Sequence, residues 1–392
     1  MRRNFLPIVG LLSLFVLGAC SAERDPKIAS LKHALEVADS QLLDAAAELD
    51  TTNCFPRSLM PKFRAVDAKD WTSGFFPGSL WQCYRFTGDE KLLAEARKYT
   101  DRLEGIQYYK GTHDLGFMVF CSFGQQMQTL HDRHSEKVIV EAAKSLVSRC
   151  DPRIGLIRSW DFGEWNYPVI IDNMMNLEML FWASKHTGDP VYRDVAVRHA
   201  DITMQNHFRD DASSFHVVSY NDDGTVESRG TFQGYSDSSA WARGQAWGLY
   251  GYTMCYRETG DAKYLKHAER IADFIMHHPN TPADRIPYWD YNAPSDAAAA
   301  AVISSALFEL STLVPEGEGK KYFDYAETLL MNLSSDAYLA GKGTNGGFIL
   351  MHSVGHLPAD SEIDTPLNYA DYYYLEAIGR YLSLRGLDPR RI

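Results

Sequence analysis

The chain of 392 residues has no CxxC pair, and its 6 cysteines stand far apart. That spacing argues against a zinc module and against a small domain stapled by disulfides. There is no HExxH, no GxSxG, and no glycine loop of the Walker or dinucleotide kind, so zincin, serine-hydrolase and nucleotide-dependent chemistry lack their usual signatures. Neither a metal nor a cofactor is expected, and acid–base chemistry by side chains remains. Positive charge is also scarce, with 39 Lys and Arg against 51 Asp and Glu, a net of −12. Nucleic acid, which selects a basic face, is therefore not an expected partner. An acidic sugar is compatible, provided that positive groups gather locally. Beyond residue 18 no apolar run is long enough to cross a bilayer.

One apolar run does exist, at the start. MRRNFLPIVGLLSLFVLGAC places two arginines before an apolar stretch from Phe5 to Gly18, and ends in Leu17-Gly18-Ala19-Cys20. Residues 1–19 are expected to be a secretory signal, and the small pair before Cys20 resembles a bacterial lipobox. An ordinary signal with a chance cysteine is the alternative. The expected mature protein is one catalytic domain over 20–392, a monomer tied to a membrane only by a lipid on Cys20, in the periplasm or at the outer membrane. Loss of Arg2 and Arg3 takes the charge from −12 to −14. Cys54, Cys83, Cys121, Cys150 and Cys255 then remain, an odd set expected to be buried thiols.

What the sequence has in quantity is a repeated helical hairpin. Segments from Phe75, Asn173 and Gly244 each give an aromatic-rich apolar helix, a Thr-Gly-Asp turn (87–89, 187–189, 259–261) and a charged amphipathic helix. Hairpins over 115–150 and 296–335 fit without the turn motif, and helices near 27–49 and 367–385 bring the count to twelve. LGFMVFCSFGQQMQTL and AAAAAVISSALFELSTLV are apolar or small nearly all round, as a helix buried on all sides must be. EKLLAEARKYTDRL and KKYFDYAETLLMNL carry a single apolar stripe. Six inner and six outer helices in alternation predict an all-α fold, an (α/α)6 toroid, with strand signals confined to loop pieces such as 213–223.

Inner-to-outer turns are short, whereas the connections back (50–71, 105–113, 150–170, 208–238, 279–295 and 336–366) are long. These long loops must share one mouth, above the N-termini of the inner helices, where sites are commonly built. Trp71 and Arg243 each lie sixteen residues before a turn threonine and Asp172 fifteen, which brings them to that mouth. His113 and Asp114, Gln233, Asp237, Trp241 and Trp247, and Trp289 and Asp296 fall there too. Carboxylates beside aromatic faces suit a sugar site. Duller readings stand beside this one. Asp114, Asp172 and Asp296 have the positions of helix N-caps; His113, His199, His207 and His216 can be structural; and Arg243, whose burial demands an anion, can have Asp237 as its partner.

WTSGFFPGSLW, HDLGFM, IIDNMMNLEML, YSDSSAWARGQAWGLYG and DSEIDTPLNYADYYYLEA, in that order from about Asp70 to Tyr381, resemble the unsaturated glucuronyl hydrolases, glycoside hydrolase family 88. The resemblance implies an (α/α)6 toroid and an enzyme acting on an unsaturated uronyl oligosaccharide left by a polysaccharide lyase. It implies hydration of the C4=C5 double bond, with Asp172 as general acid/base and Asp114 as the second essential carboxylate. His113, His216, Gln233, Arg243 and Trp247 match substrate-contacting positions, with Trp71 and Trp160 in the sugar pocket. An unsaturated rhamnogalacturonyl hydrolase of the same fold, a non-catalytic uronide-binding lipoprotein and an epimerase are the alternatives. Burial among Ile170, Ile171 and Met174, with the charge of Asp114, is expected to raise the pKa of Asp172 against the lowering effect of a helix N-terminus.

Overall fold

Gly88, Gly188 and Gly260 end their helices at φ of 75°, 75° and 70°, a left-handed stop that glycine makes without steric cost. The threonine before each one donates its hydroxyl to a carbonyl four residues back and accepts the N–H of the following aspartate. That aspartate then caps the next helix by accepting from Lys91, Val191 or Lys263. At the turn without the motif, His131 takes the left-handed position and Asp132 is the cap.

The computed structural model describes residues 25–60, 62–293 and 298–392. The expected signal segment, Cys20 and Asp296 lie outside them. Among the described residues are twelve α-helices. They are α1 (Pro26–Glu48), α2 (Phe75–Thr87), α3 (Glu90–Asp101), α4 (Phe123–Leu130), α5 (Arg133–Val147), α6 (Leu177–Thr187), α7 (Pro190–Asn206), α8 (Ala242–Thr259), α9 (Ala262–His277), α10 (Ala298–Ser311), α11 (Glu316–Leu333) and α12 (Asn368–Leu384). The even-numbered helices form the inner ring, in which α10 packs on α8 and α12 while α12 closes on α2. Outer helices pack on their inner partners through one stripe, as with Leu92, Ala96 and Tyr99 of α3, whereas α8 is buried without interruption from Ala242 to Cys255. This is the (α/α)6 toroid expected from the patterning.

Two inner elements depart from regular helix where they meet the mouth. Gly116–Phe120 is a π-turn and Ile171–Asn176 a 3-10 turn, so the single helices expected over 115–130 and from Asn173 each begin irregularly. Close packing enforces this. A Cβ on Gly116 would lie 2.6 Å from the Cα of Asn176, whose Oδ1 accepts the N–H of Phe117. Such turns recur at functional sites.

The long loops are also more ordered than their sequence suggested. Strands β1 (Phe55–Leu59) and β2 (Phe63–Val66) form a hairpin, as do the short β3 (Cys150–Asp151) and β4 (Leu156–Ile157). Strand β6 (Val217–Tyr220) is the centre of an antiparallel sheet between β5 (Pro168–Ile170) and β7 (Val226–Gly230). Loop 336–366 is pinned by Glu362, which takes Arg57 in two bonds together with Ser58 and Arg64, and by Asp371, whose carboxylate accepts the N–H groups of Ile349 and Leu350.

Candidate active site

Asp172 follows Ile171 in the 3-10 turn, whose N-cap residue is Ile170 and which no side chain caps. Leu115 caps the π-turn, again without a side-chain bond. Neither Asp172 nor Asp114 is therefore a helix cap. Asp172 is 6 % exposed, its Oδ2 has no hydrogen-bond partner, and Ile170, Ile171 and Met174 around it are buried. Burial, the largest influence, raises its pKa to about 6; Arg243 and His113 pull it down, and the charge of Asp114 pushes it up.

Two histidines flank this carboxyl, and their bonds fix their roles. His216 Nδ1 accepts the N–H groups of Phe232 and Gln233 at 3.0 and 3.1 Å, so the ring proton must sit on Nε2. That nitrogen faces Asp172 Oδ2 at 3.6 Å, too far for a hydrogen bond. Burial drives the His216 pKa well below its ordinary value, and the imidazole stays neutral. His113 closes a chain that begins at the N–H of Ile170, which donates to Ser159 Oγ. Ser159 Oγ contacts His113 Nδ1 at 3.2 Å, and His113 Nε2 lies 3.1 Å from Asp114 Oδ1. The other Asp114 oxygen accepts from the hydroxyl of Thr112. This chain ties Asp114 to the strand that leads into the turn of Asp172.

Arg243 opens α8, one residue past the helix start, and is 3 % exposed. Among the described residues no carboxylate pairs with it. Its two terminal nitrogens donate to the carbonyls of Val354 and Gly355, both at 2.9 Å, and Nε has no partner. The suggested partner Asp237 instead accepts the N–H of Thr231. The guanidinium lies 4.2 Å from the ring of Trp241 and 5.2 Å from that of Tyr369. It is a positive charge held by dipoles and aromatic faces, with an anion still to be supplied.

The aromatic candidates divide. Trp71 is half-buried against Phe75, Phe117 and Tyr369, and Trp247 is fully buried between Phe117 and Tyr373, which makes it floor more than wall. Trp160 lies beside His216, and its indole N–H has no partner. Gln233 contacts His216 through its backbone and reaches Gly355 O with its amide. Trp289 is core, with its carbonyl receiving Ala242. His199 accepts the N–H of Ile157 and is structural. Ser159, Tyr369 and His356 were missed. Tyr369 had a detectable signal, since it stands at the start of an inner helix as Arg243 does.

The family model for Glycosyl Hydrolase Family 88 matches residues 47–255. The chain belongs to this family. An unsaturated glucuronyl hydrolase of Formosa agariphila is 48% identical over 85% of this chain and 86% of its own length. An unsaturated chondroitin disaccharide hydrolase of Streptococcus agalactiae is 31% identical over 81% and 83%. Among solved structures, an unsaturated glucuronyl hydrolase specific for heparin superposes with a TM-score of 0.89 at 52% identity, covering 92% of this chain and 99% of that one. An aspartate-to-asparagine variant from Streptococcus agalactiae, complexed with dGlcA-GalNAc6S, gives 0.77 at 29%, covering 91% and 92%. The chain is thus an enzyme of the glycosidase class with the toroid that these structures share.

Proposed function

We propose that this hydrolase removes a 4,5-unsaturated uronic acid from the non-reducing end of lyase-generated oligosaccharides of the glycosaminoglycan type. The observation that carries the reading is a buried carboxyl, Asp172, with an unpaired oxygen and a pKa near 6, set beside a neutral imidazole, a second carboxylate and a buried guanidinium. An aspartic acid that keeps its proton at mildly acidic pH can give it to carbon.

In this mechanism Asp172 delivers its proton to C4 of the enol ether, and positive charge develops at C5 and the ring oxygen. The carboxylate left behind takes a proton from water as that water bonds to C5. The resulting hemiketal opens to a ketone at C5, leaving C1 a hemiacetal that expels the sugar as an alcohol. Burial keeps Asp172 in its acid form, Asp114 adds like-charge repulsion to it, and Asp114 is itself held by His113. Arg243 supplies the missing counter-charge for the uronate, with Gln233, His216, Trp71, Trp160 and Trp247 shaping the pocket. The relatives give no support to the rhamnogalacturonyl or non-catalytic alternatives.

Two further expectations join this reading: residues 20–392 act as one catalytic unit, monomeric, and a lipid on Cys20 holds it at a bacterial periplasmic or outer-membrane surface. LGAC at 17–20 supports the anchor. Turnover of an unsaturated disaccharide in deuterium oxide tests the chemistry. Deuterium on one face of C4 is expected in product caught during turnover; label spread over both faces would mean that the glycosidic oxygen is protonated and the released enol tautomerises in solution.

A further inference from the structure

Three of the six large hydrophobic side chains that are most exposed among the described residues, Phe162, Phe232 and Tyr235, lie on two neighbouring loops at the mouth. Among the described residues Tyr108 is the one other aromatic ring so exposed, and a group of such rings beside the candidate site has a use there. The rings are not loose. Phe162 stacks on Trp160 at 4.8 Å with 20° between the planes, and Phe232 contacts Trp160 at 5.4 Å and Phe162 at 5.9 Å.

Exposure rises along this series. His216, against Asp172, is 2 % exposed, Trp160 9 %, Phe232 37 % and Phe162 54 %. The aromatic surface therefore begins at the candidate acid and ends at open solvent. Its register is set from the centre outward. The N–H of Phe232 is the one bound by His216 Nδ1, and its carbonyl is met by His356 Nε2 at 2.9 Å. On the other side Arg158 Nε donates to the carbonyl of Trp160 and pairs with Asp161, which Arg149 also holds. The nearest guanidinium is thus already engaged, and burial keeps the His356 pKa below its ordinary value. This surface recognises by area, not by charge.

We infer that Phe162 and Phe232 form an outer subsite for the third sugar ring of the substrate, counted from the unsaturated end, packed through its C–H face. The inference rests on the proposed function, in which the uronide occupies the pocket over Asp172 and the second ring passes Trp160. A disaccharide does not reach the outer pair, whereas a tetrasaccharide does. Phe162 and Phe232 are thereby determinants of chain-length preference.

The test compares kcat/KM for an unsaturated disaccharide and a tetrasaccharide of the same unsulfated repeat, in the wild type and in Phe162→Ala. Phe162 is exposed, so its truncation should leave the fold intact, and Phe232→Leu provides a second variant that keeps the backbone bonds to His216. The wild type should favour the tetrasaccharide by roughly three- to tenfold, the worth of one aromatic contact. Either variant should reduce that ratio toward one with disaccharide turnover unchanged. An equal rate for both lengths in the wild type, or a ratio unmoved in both variants, overturns the outer subsite. Failure of the wild type to consume either double bond would instead fault the proposed reaction.

Discussion

Toward the C-terminal ends of the inner helices, Arg257 pairs with Glu178, Glu258 and Glu309, and Arg380 pairs with Glu309 and Glu376. Tyr250 and Ser305 complete the shell of Glu376. At the mouth, Arg243 has backbone carbonyls and aromatic faces, and Asp172 keeps an oxygen with no partner. Both regions bury charge in the same barrel, but only in the first does each charged group have an oppositely charged side chain as partner, even though burial still raises the Glu178 pKa. Arg257 and Arg380 are accordingly pushed above the ordinary arginine range by their carboxylates, while burial without compensation raises Asp172. Complete pairing makes a fastener, and incomplete pairing leaves free energy that a charged ligand can recover.

Removing the unpaired charge is the hardest test of that contrast. Asp172→Asn should lower kcat by about 10²–10⁴-fold, read from loss of the double-bond ultraviolet absorbance. It should also stabilise the fold at pH 8. The folded pKa of about 6 lies above the ordinary aspartate value of 3.8, so ionisation opposes folding, and stability fully present below that ordinary value is lost as pH rises from it through 6. Asparagine escapes that loss, worth up to about 2–3 kcal/mol. Denaturant unfolding at pH 5 and pH 8 measures it, and the gain at pH 5 should be about half that at pH 8.

At the paired end the signs reverse. Arg257→Ala strands Glu178 and leaves Glu309 with Arg380 alone, and should cost about 3 kcal/mol of stability, the lower end for a buried network because the group is partly exposed. kcat/KM of the folded fraction should not change. A smaller effect is expected for Arg243→Lys, which retains charge but loses the planar fork that two carbonyls hold. Its KM for the uronide should rise roughly tenfold with Tm nearly unchanged, and an unaltered KM would remove Arg243 from the carboxylate site. The smallest effect sharpens the comparison within the mouth. Asp114→Asn removes a charge that raises the Asp172 pKa, so residual activity should lose its upper pH limb at a lower pH than in the wild type.

The toroid was readable because its information is local. Thr-Gly-Asp turns, uniform burial of one helix class and striping of the other are all encoded within a few residues. The position of Trp71, Asp172 and Arg243 at one mouth followed from counting back from those turns, and that of His113 from its place at the start of an inner helix. What they touch did not follow, because those contacts join distant segments. Arg243 depends on Val354 and Gly355, His216 on Phe232, and Asp114 on Ser159 through His113, pairings that no spacing reveals. The irregular turns at 116–120 and 171–176 arise from close approach of Gly116 to Asn176 and of Gly251 to Met174, again across helices. The ionic cluster was invisible because its acids look like ordinary helix formers.

The claim on which the account turns is that Asp172 holds its proton well above the usual carboxylate range while the other charges of the mouth are fixed. Carbon-detected nuclear magnetic resonance of side-chain carboxyls in 13C-aspartate protein, wild type against Asp172→Asn, measures this directly. Subtracting the variant separates the signal from Asp371, which burial also raises, to about 7. The account predicts one aspartate titrating near 6 that is present in the wild type and missing from the variant. A missing resonance that titrates at or below the ordinary aspartate value of 3.8 would contradict it.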